Sequence, residues 1–263
     1  MRILWLGGSH PRHLYFVNAV GRRFELAGCI LEVRENIISQ PSASMEKIDR
    51  DNFIRHFSNR ARKEEEYFEV QHFPYCPTLK VEAGDLNSEE SAFFCRSIKP
   101  DVVLIFGCGL IKDPLFSALP RDTLNLHLGL SPRYRGSATL FWPFYFIEPT
   151  YAGCTFHYIV DEPDAGDIVH QVVPNLCLDD QIHDVGCKAV VSAASEVVEL
   201  MRIFESKGKW KRRRQNATGK NFLTSDFIPE HLRVIYNLYD DDMVRHYLEG
   251  RLKCRSPKLF RQF

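Results

Sequence analysis

Short apolar runs alternate with amphipathic, helix-like segments along the first two hundred residues, and this alternation restricts the possible folds more than any other feature. The clearest run is DVVLIFG at 101–107, five apolar residues followed by glycine. The other predicted strands lie at 2–8, 28–35, 79–85, 123–129, 153–160 and 167–174. The predicted helices lie at 11–26, 59–68, 89–98, 113–119, 137–147 (interrupted by Pro143) and 185–204. Strands that alternate with helices predict an α/β fold with a parallel sheet.

The last two predicted strands differ from the others because only the short segment DEPDAG (161–166) separates them. So short a connection predicts an antiparallel edge on an otherwise parallel, Rossmann-like sheet. A basic, turn-rich boundary follows at 207–220. We therefore predict a core at 1–206, then a linker and a short helical C-terminal extension at 207–263.

Charge and motif content exclude several classes of protein. Lys+Arg and Asp+Glu are both 34, so the net charge is zero and a general nucleic-acid binder is disfavoured. No apolar run approaches the length of a membrane span, and no CxxC pair suggests zinc. The first strand is followed by GGSHPRHL, which is neither a dinucleotide-binding nor a Walker motif. We expect a reduced cytoplasmic protein with no metal and no NAD.

Asn125 and His127 are the first candidates for chemistry. In a strand, residues i and i+2 face the same side, so both side chains would point into the crevice at the carboxyl edge of the sheet. There they could stabilise one developing oxyanion. The alternative is a polar pair that only caps the end of a strand.

The second candidate is the acidic turn between the last two strands. It carries four carboxylates: Asp161, Glu162, Asp164 and Asp167. Turns favour Asp and Gly for local backbone reasons, so a purely structural turn is the alternative. A catalytic role requires one of these carboxylates to meet His127 in space.

Taken together, NLHLGLSPRYRG (125–136) and HYIVDEPDAGDIVHQ (157–171) resemble the formyltransferase family that uses 10-formyltetrahydrofolate. That family includes the glycinamide ribonucleotide, methionyl-tRNA and sugar N-formyltransferases. The shared pattern is an Asn-x-His strand with a Pro-containing loop, then a strand–turn–strand with an Asp-x-Gly turn. The resemblance is specific over 101–175 and looser over 1–205.

The resemblance implies Asn125, His127 and Asp164 as a catalytic trio for transfer of a formyl group to a primary amine. Asn125 and His127 would stabilise a tetrahedral oxyanion, and Asp164 would assist proton transfer. 10-Formyltetrahydrofolate would be the formyl donor. Its pocket would be lined by Phe106, Gly107, Cys108, Gly109, Leu110, Ile111, Val160, Asp161 and Glu162.

The acceptor is inferred partly by elimination within the family. The loop GGSHPRHL lacks the Gly-Ser-rich phosphate loop of the glycinamide ribonucleotide enzymes, and HLGLSP (127–132) replaces the frequent His-Pro-Ser-Leu-Leu-Pro. About 55 residues after 208 are too few for the C-terminal barrel of the tRNA enzymes. No regulatory domain precedes the core, which disfavours the hydrolases. With these members of the family disfavoured, the remaining acceptor is an amino sugar. In most sugar N-formyltransferases this sugar is linked to a nucleotide.

Arg133, Arg135 and His157 are the predicted acceptor contacts. The aromatic segment 141–146 suits a core better than base stacking, and the basic run 209–214 suits a solvated loop. By resemblance to the sugar enzymes, a homodimer is plausible. The alternatives left open are another small amine acceptor and a folate-binding protein without catalysis. Residues 37–70 match no part of the family pattern and are candidates for the acceptor site or an interface.

Overall fold

The computed structural model describes residues 1–33, 40–42, 44–215 and 219–263. These residues contain nine strands: β1 (Ile3–Gly8), β2 (Leu26–Val33), β3 (Thr78–Glu82), β4 (Val102–Phe106), β5 (Thr123–His127), β6 (Tyr134–Gly136), β7 (Cys154–Tyr158), β8 (Ile168–Val172) and β9 (Lys220–Phe222). Their α-helices are α1 (Pro11–Gly21), α2 (Lys47–Phe68), α3 (Glu89–Ile98), α4 (Leu115–Ala118), α5 (Trp142–Tyr145), α6 (Ile182–Lys207) and α7 (Met243–Leu248). The last two positions of the predicted strand 28–35 lie outside the described residues.

Seven strands form the main sheet, in the order β3-β2-β1-β4-β5-β7-β8. The pairs from β3 to β5 are parallel, whereas β5–β7 and β7–β8 are antiparallel. The predicted parallel α/β sheet with an antiparallel edge is therefore confirmed. The order reverses between β1 and β4, and such a point opens a crevice at the carboxyl ends of the strands.

Helices cover both faces of the sheet, because alternate residues of each parallel strand must be buried. On β1, Ile3 and Trp5 pack with residues of α1 and α6, whereas Leu4 and Leu6 pack with residues of α3. Each fully buried aliphatic side chain of this kind contributes about 1.5–3 kcal/mol to stability. Helices α1 and α6 pack on the same face of the sheet, and residues near their N-terminal ends, Arg12 and His183, lie beside the crevice.

Several predicted element boundaries were wrong. The helix predicted at 11–26 ends at Gly21, and β2 already begins at Leu26. The helix predicted at 59–68 is only the second half of α2. The helix predicted at 137–147 is reduced to the single turn of α5, because Ala138 and Ile147 both adopt positive φ, 54° and 60°. A left-handed backbone at both ends stops a right-handed helix from extending.

The segment after α6 packs against the core instead of extending from it. Strand β9 pairs in parallel with β6, and the N–H and C=O groups of Arg213 bond those of Ile168, both at 2.8 Å. The carbonyl of Phe260 accepts from the N–H of Gln171 at 2.8 Å. Phe222, Leu232, Ile235 and Val244 join the aromatic segment around Trp142 in a second hydrophobic cluster. That segment is therefore part of a core.

The described parts of the chain contain neither a membrane-spanning helix nor a group of metal ligands. None of their helices combines the length and the hydrophobicity that a membrane span requires. Among the same residues, no three His, Cys, Asp or Glu side chains are grouped as metal ligands would be.

Candidate active site

Asn125 and His127 lie at the carboxyl end of β5, and Asp164 reaches both of them from the turn between β7 and β8. Asp164 Oδ2 is 3.2 Å from His127 Nδ1, and Asp164 Oδ1 is 3.5 Å from Asn125 Nδ2. The Gly136 N–H donates to Asp164 Oδ2 at 3.0 Å. The three side chains that the family resemblance implies as catalytic thus lie together, with Asp164 in contact with both of the others.

His157 joins the same network from β7, where it pairs with Asn125. Its Nδ1 donates to the Tyr158 carbonyl at 2.8 Å. Its Nε2 lies 3.1 Å from Asn125 Nδ2 and 3.3 Å from Asp164 Oδ1. This residue, which the sequence offered as an acceptor contact, therefore orients the amide and the carboxylate.

The network holds Asp164 ionised. Burial opposes its charge, but the charge interaction with His127 and the hydrogen bond from His157 outweigh burial and hold the pKa of Asp164 well below its usual range. Burial lowers the pKa of His127, and the carboxylate of Asp164 partly offsets this effect. His127 Nε2 donates to the Tyr134 carbonyl at 2.9 Å, so both ring nitrogens face acceptors. Burial thus favours the neutral imidazole, and the two acceptors oppose that effect.

A cavity of about 480 Å³ opens beside the trio at the carboxyl edge of the sheet. It is lined by the trio, by the ends of β4 and β5, and by side chains of α1, α2 and α6. The lining residues include Arg12, His13, His56, Phe57, Arg60, Glu64, Phe106, Gly107, Cys108, Phe141, His183 and Phe227.

Three residues of the predicted donor pocket, Phe106, Gly107 and Cys108, line this cavity. Gly107 has φ +76°, and a Cβ there would lie 2.1 Å from His13 Nε2, so only glycine lets the chain pass so close. The other predicted donor contacts are not among the lining residues: Gly109, Leu110, Ile111, Val160, Asp161 and Glu162. Of these, Gly109 donates its N–H to Glu32 Oε2 at 2.8 Å.

The two predicted acceptor arginines are engaged elsewhere. Arg133 donates to both oxygens of Glu148, at 3.0 and 2.6 Å, in a bidentate pair. Arg135 is 3% exposed, and its Nη2 donates to Glu162 Oε1 at 2.6 Å and to the Pro163 carbonyl at 2.8 Å. Neither side chain is among the residues that line the cavity.

A different cationic cluster forms one wall of the cavity. Glu64 on α2 accepts from Arg12 Nη1 at 2.9 Å and from Arg60 Nε at 3.1 Å, and His10 Nε2 lies 3.0 Å from its second oxygen. Burial lowers the pKa of Arg12 to about 10, still high enough for a positive charge at neutral pH. Two guanidinium groups around one carboxylate leave this wall with an excess positive charge.

Two neutral histidines, His56 and His183, lie beside that cluster with their ring centroids 4.4 Å apart. Burial, reinforced by the charge of Arg60, lowers the pKa of His183 to about 4. Burial, reinforced by His183, also lowers the pKa of His56. The His183 Nε2 is buried and has no hydrogen-bond partner among the described residues, so a ligand in the cavity could bond to it.

The departure of the chain from the family pattern after His127 has a steric reason. A Cβ on Gly129 would lie 2.5 Å from His127 Nε2 and 2.6 Å from the Tyr134 carbonyl oxygen. Those two atoms form the hydrogen bond that orients the imidazole. Glycine at position 129 therefore leaves room for the hydrogen bond that orients His127.

The family model described as "Formyl transferase" matches residues 53–198, more than half of the chain. The chain belongs to the formyltransferase family. Among curated relatives, a methionyl-tRNA formyltransferase from Treponema pallidum is 42% identical over 78 residues, which cover 29% of this chain and 24% of the relative. The matched region thus spans about a quarter of the length of that formyltransferase.

Solved formyltransferase structures share the fold over most of the chain. PseJ from Anoxybacillus kamchatkensis, in complex with a UDP-linked formamido sugar and tetrahydrofolate, is 16% identical with a TM-score of 0.52. The match covers 93% of this chain and 97% of PseJ. The N-formyltransferase from Helicobacter canadensis, in complex with folinic acid and dTDP-3-aminofucose, is 14% identical with a TM-score of 0.56. That match covers 95% of this chain and 82% of the other.

The sequence offered 37–70 as a candidate segment for the acceptor site but did not identify which of its residues line the cavity, although a signal was present. His56, Phe57, Arg60 and Glu64 recur at helical spacing, and all four side chains face the cavity. The polar composition of 37–68 concealed this stripe, because three of its four members are polar. Arg12, the other member of the cluster, lies 52 residues away from Glu64 in sequence.

Proposed function

We propose that this protein transfers a formyl group from 10-formyltetrahydrofolate to the primary amine of a nucleotide-linked amino sugar. The observation that carries the proposal is the contact of Asp164 with both Asn125 and His127 at the edge of a cavity of about 480 Å³. When an amine attacks a formyl carbon, an amide and an imidazole can stabilise the oxyanion that forms, and an ionised carboxylate can assist the transfer of the proton.

Each member of the trio has a separate task. The Nδ2 of Asn125 donates to the formyl oxygen as negative charge develops on it. His127 shares that donation or carries a proton, which N10 of tetrahydrofolate takes up when the bond between N10 and the formyl carbon breaks. Asp164 stays ionised, orients His127 through Nδ1 and accepts the proton that leaves the acceptor amine, directly or through water. The mechanism needs no covalent intermediate.

The donor side of the cavity fits a flat heterocycle. Phe106, Gly107 and Cys108 line it, and the missing side chain of Gly107 lets the His13 ring, which also lines the cavity, pack against the chain there. 10-Formyltetrahydrofolate supplies the formyl group there. The contacts predicted for 109–111 and 160–162 remain predictions of this proposal.

The acceptor side supports an anionic substrate. The excess positive charge of Arg12 and Arg60 beside Glu64 suits a phosphate or a carboxylate, and His183 Nε2 offers a further polar contact. Aromatic rings of Phe57, Phe141 and Phe227 also line the cavity and suit a sugar or a base. The sugar nucleotides in the PseJ and H. canadensis complexes agree with this chemistry.

The decisive experiment is release of tetrahydrofolate from 10-formyltetrahydrofolate with a panel of dTDP- and UDP-linked amino sugars. Wild type is compared with Asn125→Ala, with Asn18→Ala as the matched control on α1. We expect release that requires one amino sugar and falls about 100- to 1000-fold in Asn125→Ala alone. Release without any acceptor would indicate a hydrolase, and folate binding without release on any amine would indicate a non-catalytic protein.

The homodimer and the cytoplasmic location remain predictions. Light scattering coupled to size-exclusion chromatography measures the former, and cell fractionation the latter.

A further inference from the structure

The turn that carries Asp164 is held by contacts from outside the turn. Asp164 has φ +52°, in the left-handed region, which Asp adopts more readily than most residues other than glycine. Even for Asp this conformation is less favourable than a right-handed one, so contacts from the surroundings help to hold it. The surroundings of this turn are therefore part of what places the carboxylate.

One restraint comes from Gln215, which follows α6 by eight residues in the basic linker. Its Nε2 donates to the Asp164 carbonyl at 2.8 Å and to the Gly166 carbonyl at 2.7 Å. One side-chain amide thus bonds the backbone at Asp164 and at the residue two positions later. On the same turn, a Cβ on Gly166 would lie 1.7 Å from the Tyr158 carbonyl oxygen, so the turn also packs tightly against β7.

A second restraint comes from Arg135 on β6. Its buried guanidinium bonds the Glu162 carboxylate and the Pro163 carbonyl, both in the two residues before Asp164. The next residue, Gly136, donates its N–H to the Asp164 carboxylate itself. Gln215 and Arg135 thus hold the turn on the two sides of Asp164 along the chain.

The C-terminal segment also restrains β6. Arg135 pairs with Asn221 in the β6–β9 ladder, and the Ser137 N–H donates to the Phe222 carbonyl at 2.7 Å. On the other side, the Arg213–Ile168 bridge fixes the chain two residues before Gln215. Both restraints on the Asp164 turn are therefore connected to the segment that follows α6.

We propose that Gln215, together with Arg135, is a positioning residue that sets the geometry of Asp164 toward His127 and Asn125. The segment after α6 is then part of the catalytic apparatus. This inference rests on the proposed function for its kinetic consequence. Arg135, predicted from the sequence as a contact of the acceptor, is here proposed to contact the turn that carries Asp164.

The test is Gln215→Met, which keeps the length of the side chain and removes both donors. A displacement of about 1 Å of a catalytic group can cost about 100-fold in rate. We expect kcat to fall 10- to 100-fold with KM for both substrates within twofold, because Gln215 is not among the residues that line the cavity.

Gln262→Met is the matched control. Gln262 Nε2 also donates to two carbonyls, Val169 at 2.6 Å and Lys211 at 2.7 Å, but away from the turn. We expect both variants to lower Tm by a few degrees and only Gln215→Met to lower kcat. Equal losses of kcat in the two variants would overturn the proposal, and so would unchanged kcat in Gln215→Met.

A second readout does not depend on activity. ¹⁵N chemical shifts of the His127 and His157 imidazoles report their contacts with the Asp164 carboxylate. We expect both sets of shifts to change in Gln215→Met and to stay unchanged in Gln262→Met. If wild type formylates no acceptor but the shifts change in this way, the proposed function fails and the positioning role stands. Unchanged shifts in Gln215→Met would refute the positioning role whatever the activity.

Discussion

Asp164 Oδ2 lies 3.2 Å from His127 Nδ1, although the two residues belong to separate segments, an acidic turn and the end of a parallel strand. The opposite ring nitrogen of His127 donates to the Tyr134 carbonyl. An imidazole between two acceptors gains stability when it is protonated, and burial works against that gain. The reactivity of His127 therefore depends on how closely Asp164 is held.

Replacing Asp164 by Asn should abolish most of the activity without unfolding the protein. The amide keeps the shape of the side chain but removes the negative charge that favours protonated His127 and the acceptor for the amine proton. We expect kcat to fall about 100- to 10,000-fold, the usual range for a general acid or base. The assay is formyl transfer, with Asp51→Asn as a control at an exposed position of α2. Activity within tenfold of wild type would contradict the role of Asp164.

Mild acid should weaken the stabilisation that burial of neutral His183 provides. The pKa of His183 is about 4 in the folded state and about 6.5 in the unfolded chain. Unfolding therefore takes up a proton between these values, so the stabilisation is complete above pH 6.5 and is lost as the pH falls toward 4. Over this pH range, protonation linked to His183 lowers the free energy of unfolding by about 3 kcal/mol.

Urea unfolding of wild type and His183→Gln at pH 7 and pH 5 measures this effect. Asp241, whose pKa burial raises to about 7, acts in the opposite direction in the same window, so the comparison with the variant is required. We expect a weaker loss of unfolding free energy between the two pH values in His183→Gln. Identical pH dependence in both proteins would show that His183 is not buried in its neutral form.

Restoring a side chain at position 129 should damage the enzyme. Gly129→Ala and Gly129→Ser both add the Cβ that would overlap His127 Nε2 and the Tyr134 carbonyl. We expect both variants to lose 1–3 kcal/mol of stability, the usual cost of overpacking, and at least tenfold in kcat. Tm and formyl-transfer kinetics measure the two effects. A fully active Gly129→Ser would contradict the observed orientation of His127.

Removing one cation from the α2 wall should weaken binding of the acceptor alone. Hydrogen bonds to charged groups contribute about 1.5–3 kcal/mol, so Arg60→Gln should raise the acceptor KM about 10- to 100-fold. We expect kcat and the KM for 10-formyltetrahydrofolate to stay within twofold. Arg62→Gln is the control, since Arg62 lies on the same helix and pairs with Glu66 at the surface. An unchanged acceptor KM would exclude Arg60 from the acceptor site.

The sequence predicted the sheet well because burial of a parallel strand on both faces leaves an apolar run, as in DVVLIFG. Ends of helices were less predictable. Gly21 marks the end of α1, but the apolar spacing continues to Phe24 and suggested a longer helix. The segment 137–147 has the composition of a helix, yet Ala138 and Ile147 adopt positive φ, and the segment packs against residues of the distant C-terminal segment.

Contacts between neighbouring strands were predictable, whereas contacts made by distant polar residues were not. Asn125 and His127 lie in β5, and Asp164 lies in the short connection that follows the neighbouring strand β7, so the family motifs already indicate where they meet. Arg60 belongs to a stripe of helical spacing on α2 that is concealed by the polar composition of the segment, and Gln215 is a single polar residue in the basic linker. Their positions depend on how α2 and the linker pack, which local sequence does not determine.

The pairing of residues 260–262 with β8 has a consequence for self-association. An edge strand normally presents free N–H and C=O groups to which a second chain can add a strand. Here the Gln171 N–H bonds the Phe260 carbonyl, and Gln262 Nε2 bonds the Val169 carbonyl. A sheet that continues from one copy of the chain into another across β8 would first have to displace the chain's own C-terminal residues. A homodimer of this protein would therefore have to assemble away from β8, and residues 260–262 oppose fibrous association along this edge of the sheet.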